Sequence, residues 1–295
     1  MWRVLSNQAR FLMKTNFFVS LGAVFLTLQT QVQLGMRPHI YPYVFIIFSA
    51  SYMAYNTQIV AAWVYGSHHN GKSLIKEDQD VSRQRLLFIL SIVLFFGAIL
   101  FAKQKIVAAL VPLSIITLCY SFPLRNTKTI VFRLREVPLL KVFLISTTWS
   151  AVTVLLPTIH SGTEMNQPHV LMMLTERFLL IFAIAIPFDI RDMSIDAVAK
   201  LKTVPLIIGK GKALALSNAC LLAFIAISLF HFYLNGLTFV LPALIISVGV
   251  TVLLINTKTW NTSATYYAML DGTLIFQGAL VCASYYLNSG CCVFN

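Results

Sequence analysis

Asp189, Asp192 and Asp196 fall within eight residues, Asp189-Ile-Arg-Asp-Met-Ser-Ile-Asp196, of a 295-residue chain with only ten acidic residues. Their i, i+3, i+7 spacing places all three on one side of a helix, stacked over two turns. They follow the apolar run Phe178 to Phe188, where a membrane helix should reach the interface. Carboxylates at such a boundary are costly and mark a function by default. Three oxygen donors on one face suit a hard cation such as Mg²⁺ that also carries a diphosphate, since this ion keeps coordination positions for water and phosphate oxygens. The plain alternative is a solvated turn with Arg191 interleaved, which does not require three carboxylates in register.

Elements that could hold such a face must lie in a membrane. Hydrophobic residues make up 58% of the chain and charged residues 11%, with a mean hydropathy of +0.79. A soluble domain carries about 25% charge, so a polytopic membrane protein is expected, in one domain over 1–295. The segment 1–14 is basic and amphipathic, and no small-residue cleavage site follows the first apolar run. Cys119, Cys220, Cys282, Cys291 and Cys292 show no metal-ligand spacing.

A spanning helix needs about 20 mostly apolar residues. On that measure an all-α fold of nine segments is expected, at 15–34, 39–65, 86–102, 106–121, 138–159, 170–190, 213–234, 237–255 and 264–287. Connections after the odd-numbered segments are short, and those after the second, fourth and sixth are long and basic. Arg37, Lys103, Lys105 and Arg177 fall toward the short-loop side, and the other Lys and Arg residues lie opposite. Loops rich in Lys and Arg stay inside. The N-terminus and the long loops are therefore expected on the cytoplasmic side, as in a bacterial inner membrane. The net charge of +12 needs no nucleic-acid partner, since topology and anionic membrane lipids account for it.

The long loops carry the remaining polar chemistry. One runs from Gly66 through His68 and His69 to Glu77, Asp78 and Asp80. A second reads Tyr120-Ser-Phe-Pro-Leu-Arg125-Asn-Thr-Lys128, and the third follows the acidic triplet into Lys200-Leu-Lys202-Thr-Val-Pro205 and Gly209. Carboxylates and cations gathered on one membrane face suit a phosphate ligand held through a divalent ion. The apolar bundle beside them suits a lipid tail. His68 and His69 are poor Mg²⁺ ligands and read as interfacial loop residues.

Pro187-Phe-Asp-Ile-Arg-Asp-Met-Ser-Ile-Asp196, with Leu201-Lys-Thr-Val-Pro205 and Gly209, strongly resembles the second aspartate-rich region of the UbiA superfamily of intramembrane prenyltransferases. Tyr120-Ser-Phe-Pro-Leu-Arg125 is similar to that family's Tyr-Ser-x-Pro-Leu-Lys element, and Tyr266-Tyr-Ala-Met-Leu-Asp271-Gly to its last-helix pattern. The likeness runs from the second segment to the ninth. One departure stands out. The family's first motif, Asn-Asp-x-x-Asp-x-x-x-Asp, keeps Asn56 here, but Thr57, Val60 and Val64 replace its aspartates. Valine offers a metal nothing, and threonine only a neutral oxygen.

The resemblance implies transfer of a prenyl group from a prenyl diphosphate to a lipid-like or aromatic acceptor. Asp189, Asp192 and Asp196 would hold Mg²⁺ and count as catalytic. Lys202 and Arg125, with Lys128 and Arg191, would neutralise the diphosphate; Asn56 would add a neutral contact, and Tyr120 opens the loop element. Tyr52, Tyr55, Trp149 and Phe188 could shield an allylic cation, though each also suits packing or an interface belt. Two other readings stay open on this scaffold: a membrane terpene cyclase, and a non-catalytic prenyl-lipid binder for which the altered first motif argues. No internal repeat supports a transporter.

Overall fold

The computed structural model describes residues 15–57, 79–121, 125–127, 130–132, 137, 139–198, 201–257 and 264–291. Among these, six helices are long and apolar enough to cross a membrane, and three shorter apolar helices accompany them. In chain order they begin with α1 (Phe17–Gln33), α2 (Pro42–Tyr55), α3 (Gln79–Leu100) and α4 (Gln104–Ser121). Next come α5 (Leu140–Ser150, continued to Ser161), α6 (Pro168–Val198), the short α7 (Val204–Ile208), α8 (Lys210–Leu234), α9 (Leu241–Asn256) and α10 (Ala264–Cys291). Leaving out α7, each of the nine expected apolar segments has its helix, as expected for an integral multi-pass protein. A small antiparallel hairpin, β1 (Arg125–Thr127) on β2 (Ile130–Phe132), interrupts the all-helical pattern between α4 and α5.

Helix α6 outruns its apolar stretch. It continues through the acidic triplet to Val198 and spans 31 residues, about 46 Å at 1.5 Å per residue. No glycine follows Phe188 until Gly209, so the chain meets no strong stop before the Lys-Thr-Val-Pro stretch. Its Leu201 N–H donates to the Asp196 carbonyl (2.9 Å) and ends the helix. Helix α5 runs the other way. A π turn at Ala151–Leu155 lies one residue ahead of Pro157, whose missing N–H and bulky ring disturb regular α-helical bonding.

The core centres on α1. Its Leu26 and Val32 are buried in one cluster with Ala183 of α6, Leu221 and Phe224 of α8, Leu244 of α9 and Leu270 and Val281 of α10. A second cluster joins Tyr43, Ile46 and Ile47 of α2 to Ile106 of α4 and Leu156 of α5. In lipid, helix association rests on close packing and interhelical polar contacts rather than on expulsion of water. Accordingly, a Cβ on Gly278 would overlap the Phe25 carbonyl, so α10 reaches the α1 backbone only through glycine. Leu100, Leu222 and Leu253 stay exposed on the outside of the bundle, as lipid-facing side chains should.

Candidate active site

The antiparallel run of α5 and α6 decides the site. It brings the first turn of α5 alongside the last turns of α6, and one lysine joins two of the three carboxylates. Lys141 Nζ lies 2.8 Å from Asp189 Oδ1 and 3.4 Å from Asp196 Oδ2. Asp189 and Asp196 are buried. They are two helical turns apart, about 10 Å along the axis, so a single ammonium spans the stacked face. A lysine in the first turn of a helix is disfavoured by the helix dipole, and the two carboxylates offset that cost. Leu139, just before this turn, has a left-handed backbone (φ 62°) rare for a non-glycine residue. Its N–H donates to the Lys202 carbonyl (2.9 Å), which ties the Lys-Thr-Val-Pro stretch to α5.

Asp192 is arranged differently. Arg191 makes a two-pronged contact with it, Nε to Oδ1 at 2.7 Å and Nη2 to Oδ2 at 3.1 Å, and the guanidinium also sits 5.2 Å from the centre of the Phe188 ring. Both partners are partly open to solvent.

The triplet therefore shares one end of α6, but its three carboxylates do not converge on one point. Among the described residues, no three His, Cys, Asp or Glu side chains stand close enough together to hold a metal ion. Two observations nevertheless fit a hard cation at Asp189 and Asp196. The pair already holds a positive group, the Lys141 ammonium, and Asp189 Oδ2 is buried with no hydrogen-bond partner. Carboxylate oxygens of this kind are the donors that Mg²⁺ prefers.

The other sequence-selected residues divide. Asn56 is fully buried, and its side chain is committed to holding the fold. Its Nδ2 donates to the Thr15 and Tyr52 carbonyls (3.1 and 2.8 Å), and its Oδ1 accepts from Gln84 Nε2 (3.1 Å) and Asn16 Nδ2 (3.5 Å). Thr57 donates to the Ala54 carbonyl (3.3 Å). Lys202 is exposed and meets α5 through its carbonyl. Tyr120 belongs to α4 and Arg125 to β1. Lys128, Val60, Val64, His68, His69, Glu77 and Asp78 lie outside the described residues. Of the aromatics, Trp149 Nε1 donates to the Tyr55 hydroxyl (3.0 Å), while Tyr52 is buried beneath. Lys141 was not among the residues selected from the sequence. A lone lysine opening an apolar segment at a membrane boundary was its signal.

An apolar groove of about 420 Å³ opens between α1, α9 and α10, lined among others by Phe18, Leu254, Met269 and Gly272. None of the three carboxylates lines it.

No protein-family profile and no curated protein sequence matches the chain. Solved structures do. A UbiA homologue from Archaeoglobus fulgidus bound to DMAPP and Mg²⁺ superposes with a TM-score of 0.55 at 15% identity, over 92% of this chain and 99% of that one. A UbiA homologue from Aeropyrum pernix K1 in its apo form gives 0.57 at 13% identity, over 92% and 98%. The chain has the UbiA fold. A digeranylgeranylglyceryl phosphate synthase is also similar, with a TM-score of 0.51 at 13% identity over 94% of this chain and 95% of that one. The UbiA fold agrees with the resemblance carried by the second aspartate motif, and places that motif at the end of its sixth apolar helix.

Proposed function

We propose that this chain is an intramembrane prenyltransferase that takes a prenyl group from a prenyl diphosphate and passes it to a lipid-like or aromatic acceptor. The observation that carries the reading is the Asp189–Lys141–Asp196 arrangement with Asp192 one turn away, at one membrane face of a UbiA fold. A protein of this fold binds DMAPP with Mg²⁺, and another is a digeranylgeranylglyceryl phosphate synthase; both support a diphosphate at this face and an apolar tail in the bundle.

In this reading the carbon–oxygen bond between the prenyl chain and its diphosphate breaks, and the diphosphate leaves with the electron pair. The acceptor then bonds to the allylic carbon and gives up a proton. Asp189 and Asp196, with Asp192 drawn in from the intervening turn, would hold Mg²⁺, and that ion, when bound, supplies positive charge to the leaving oxygens. Lys141, Arg191 and Lys202 place further cations toward the same end of α6, where preorganised charge favours a leaving diphosphate, and the sequence resemblance assigns Arg125 and Lys128 the same task. Tyr55 and Trp149, joined by their hydrogen bond, offer ring faces to an allylic cation. The long basic loops and the site face the cytoplasm in this reading.

Purified protein with Mg²⁺ and radiolabelled farnesyl or geranylgeranyl diphosphate, with and without membrane extract, tests it by diphosphate release. Release that requires extract is the expected result. Release without an acceptor would assign a cyclase instead, and retained binding without release would assign a lipid-binding protein.

A further inference from the structure

We infer that Lys141 is a built-in competitor of the divalent ion: its ammonium holds the Asp189–Asp196 pair until a phosphorylated ligand draws it away. The ligand half of this statement rests on the proposed function, whereas the competition with metal does not. Three observations carry it.

The first is position. Lys141 Nζ bridges carboxylates two turns apart on one helix, at 2.8 and 3.4 Å, which is the place a cation shared by both would take. The second is charge. The two carboxylates share the Lys141 ammonium, and the third acid of the triplet, Asp192, is paired with Arg191. A divalent ion entering beside the ammonium would meet a like charge at contact distance, so the two exclude one another. The third is the altered first motif. Thr57, Val60 and Val64 stand where the family pattern carries aspartates, so the second motif must supply the ionised ligands, and its buried pair is the part that Lys141 covers.

The consequence is an order of binding. Metal alone binds weakly because it must displace an ion-paired lysine. A diphosphate offers that lysine an alternative anion and at the same time adds oxygens to the metal, so ligand and metal enter together. By linkage, each then raises the affinity of the other.

The core test uses Mn²⁺ alone, followed by electron paramagnetic resonance of the free ion, on purified protein in detergent. The parent should bind weakly, and Lys141→Met should gain a site at least about tenfold tighter. Adding Asp189→Asn to Lys141→Met should remove that site. Equal Mn²⁺ affinity in parent and Lys141→Met would overturn the inference, as would a folded Lys141→Met that gains no affinity. If Lys141→Met does not fold in metal-free buffer, folding should return with millimolar Mn²⁺, since the ion replaces the lost charge. Failure to recover would equally overturn it. A separate arm measures geranylgeranyl diphosphate binding by the parent in Mg²⁺ and in EDTA. Absence of binding in both would refute the proposed function while leaving the metal competition standing.

Discussion

His231 Nδ1 lies 2.6 Å from Glu176 Oε1, and both side chains are buried within the bundle. Their contact continues outward. His231 Nε2 is 2.7 Å from His169 Nδ1, and His169 Nε2 is 2.8 Å from the Gln33 carbonyl. A carbonyl only accepts, so His169 Nε2 carries a hydrogen. His169 Nδ1 and His231 Nε2 then share one proton, and His231 Nδ1 and Glu176 share another. This chain binds α6 to α8 and to the end of α1. It lies thirteen residues from Asp189 along α6, about 20 Å, and so takes no part in the acidic site.

Removing either end of the His231–Glu176 contact should loosen the bundle without touching ligand binding directly. His231→Ala and Glu176→Ala are each expected to cost on the order of 2 kcal/mol, because the surviving partner loses this hydrogen bond while still buried. The double variant should cost clearly less than the sum. Thermal unfolding in detergent measures all three; strict additivity would show that the pair is not coupled.

Gly278 is expected to tolerate no side chain. A Cβ there would overlap the Phe25 carbonyl and come within 2.7 Å of the Phe25 Cβ, and helix backbone cannot shift locally to relieve that. Gly278→Ala should lower stability by about 1–3 kcal/mol. Gly97→Ala meets nothing within 4 Å and serves as control. A Gly278→Ala protein melting with the parent would contradict the α1–α10 approach.

The helices were legible because membrane spans advertise themselves: each apolar run became a helix, and boundaries shifted most where polarity and helix end part company. The apolar run of α6 stops at Phe188, yet the helix continues to Val198, because Asp, Arg, Met and Ser do not break helices and only a later backbone contact ends this one. The site was half legible. Aspartates at i, i+3 and i+7 announce themselves within one helix, whereas Lys141 reaches Asp196 across 55 positions of sequence. Asn56 illustrates the converse. Its place in a motif pointed to a ligand, but its partners Thr15, Asn16 and Gln84 come from outside the motif and give it a structural task.

Asn56 should therefore respond as a tie between segments. Asn56→Asp removes two donated hydrogen bonds and turns a carboxylate toward the Thr15 and Tyr52 carbonyls. A loss on the order of 3 kcal/mol is expected, exceeding that of Asn56→Ala, where no charge is buried. An Asn56→Asp protein as stable as the parent, with altered diphosphate affinity, would return the residue to the ligand.

The orientation in the membrane can be read by cysteine labelling of intact cells. Variants at Ser73 and Asn126, in the long basic loops, should resist an impermeant reagent, and one at Gly162 should react. Labelling of the first two from outside would invert the topology and move the acidic face to the other side.

Asp189 and Asp192 should separate stability from ligand binding. Asp189 is buried against Lys141, so Asp189→Asn removes the nearer carboxylate from the bridging ammonium and should destabilise the apo protein by about 3 kcal/mol. Asp192 is paired with its own neighbour at a partly exposed position, where such contacts are worth less than about 1 kcal/mol. Asp192→Asn should therefore melt with the parent, yet bind prenyl diphosphate more weakly and with less help from Mg²⁺. Arg191 keeps its charge at this position in Asp192→Asn, so Asp192→Asn with Arg191→Gln should lose more than either alone. Thermal melts and binding isotherms with and without Mg²⁺ give both readouts. If Asp192→Asn binds the diphosphate as the parent does, with the same response to Mg²⁺, the outer carboxylate belongs to a solvated turn and only the buried pair remains as the site.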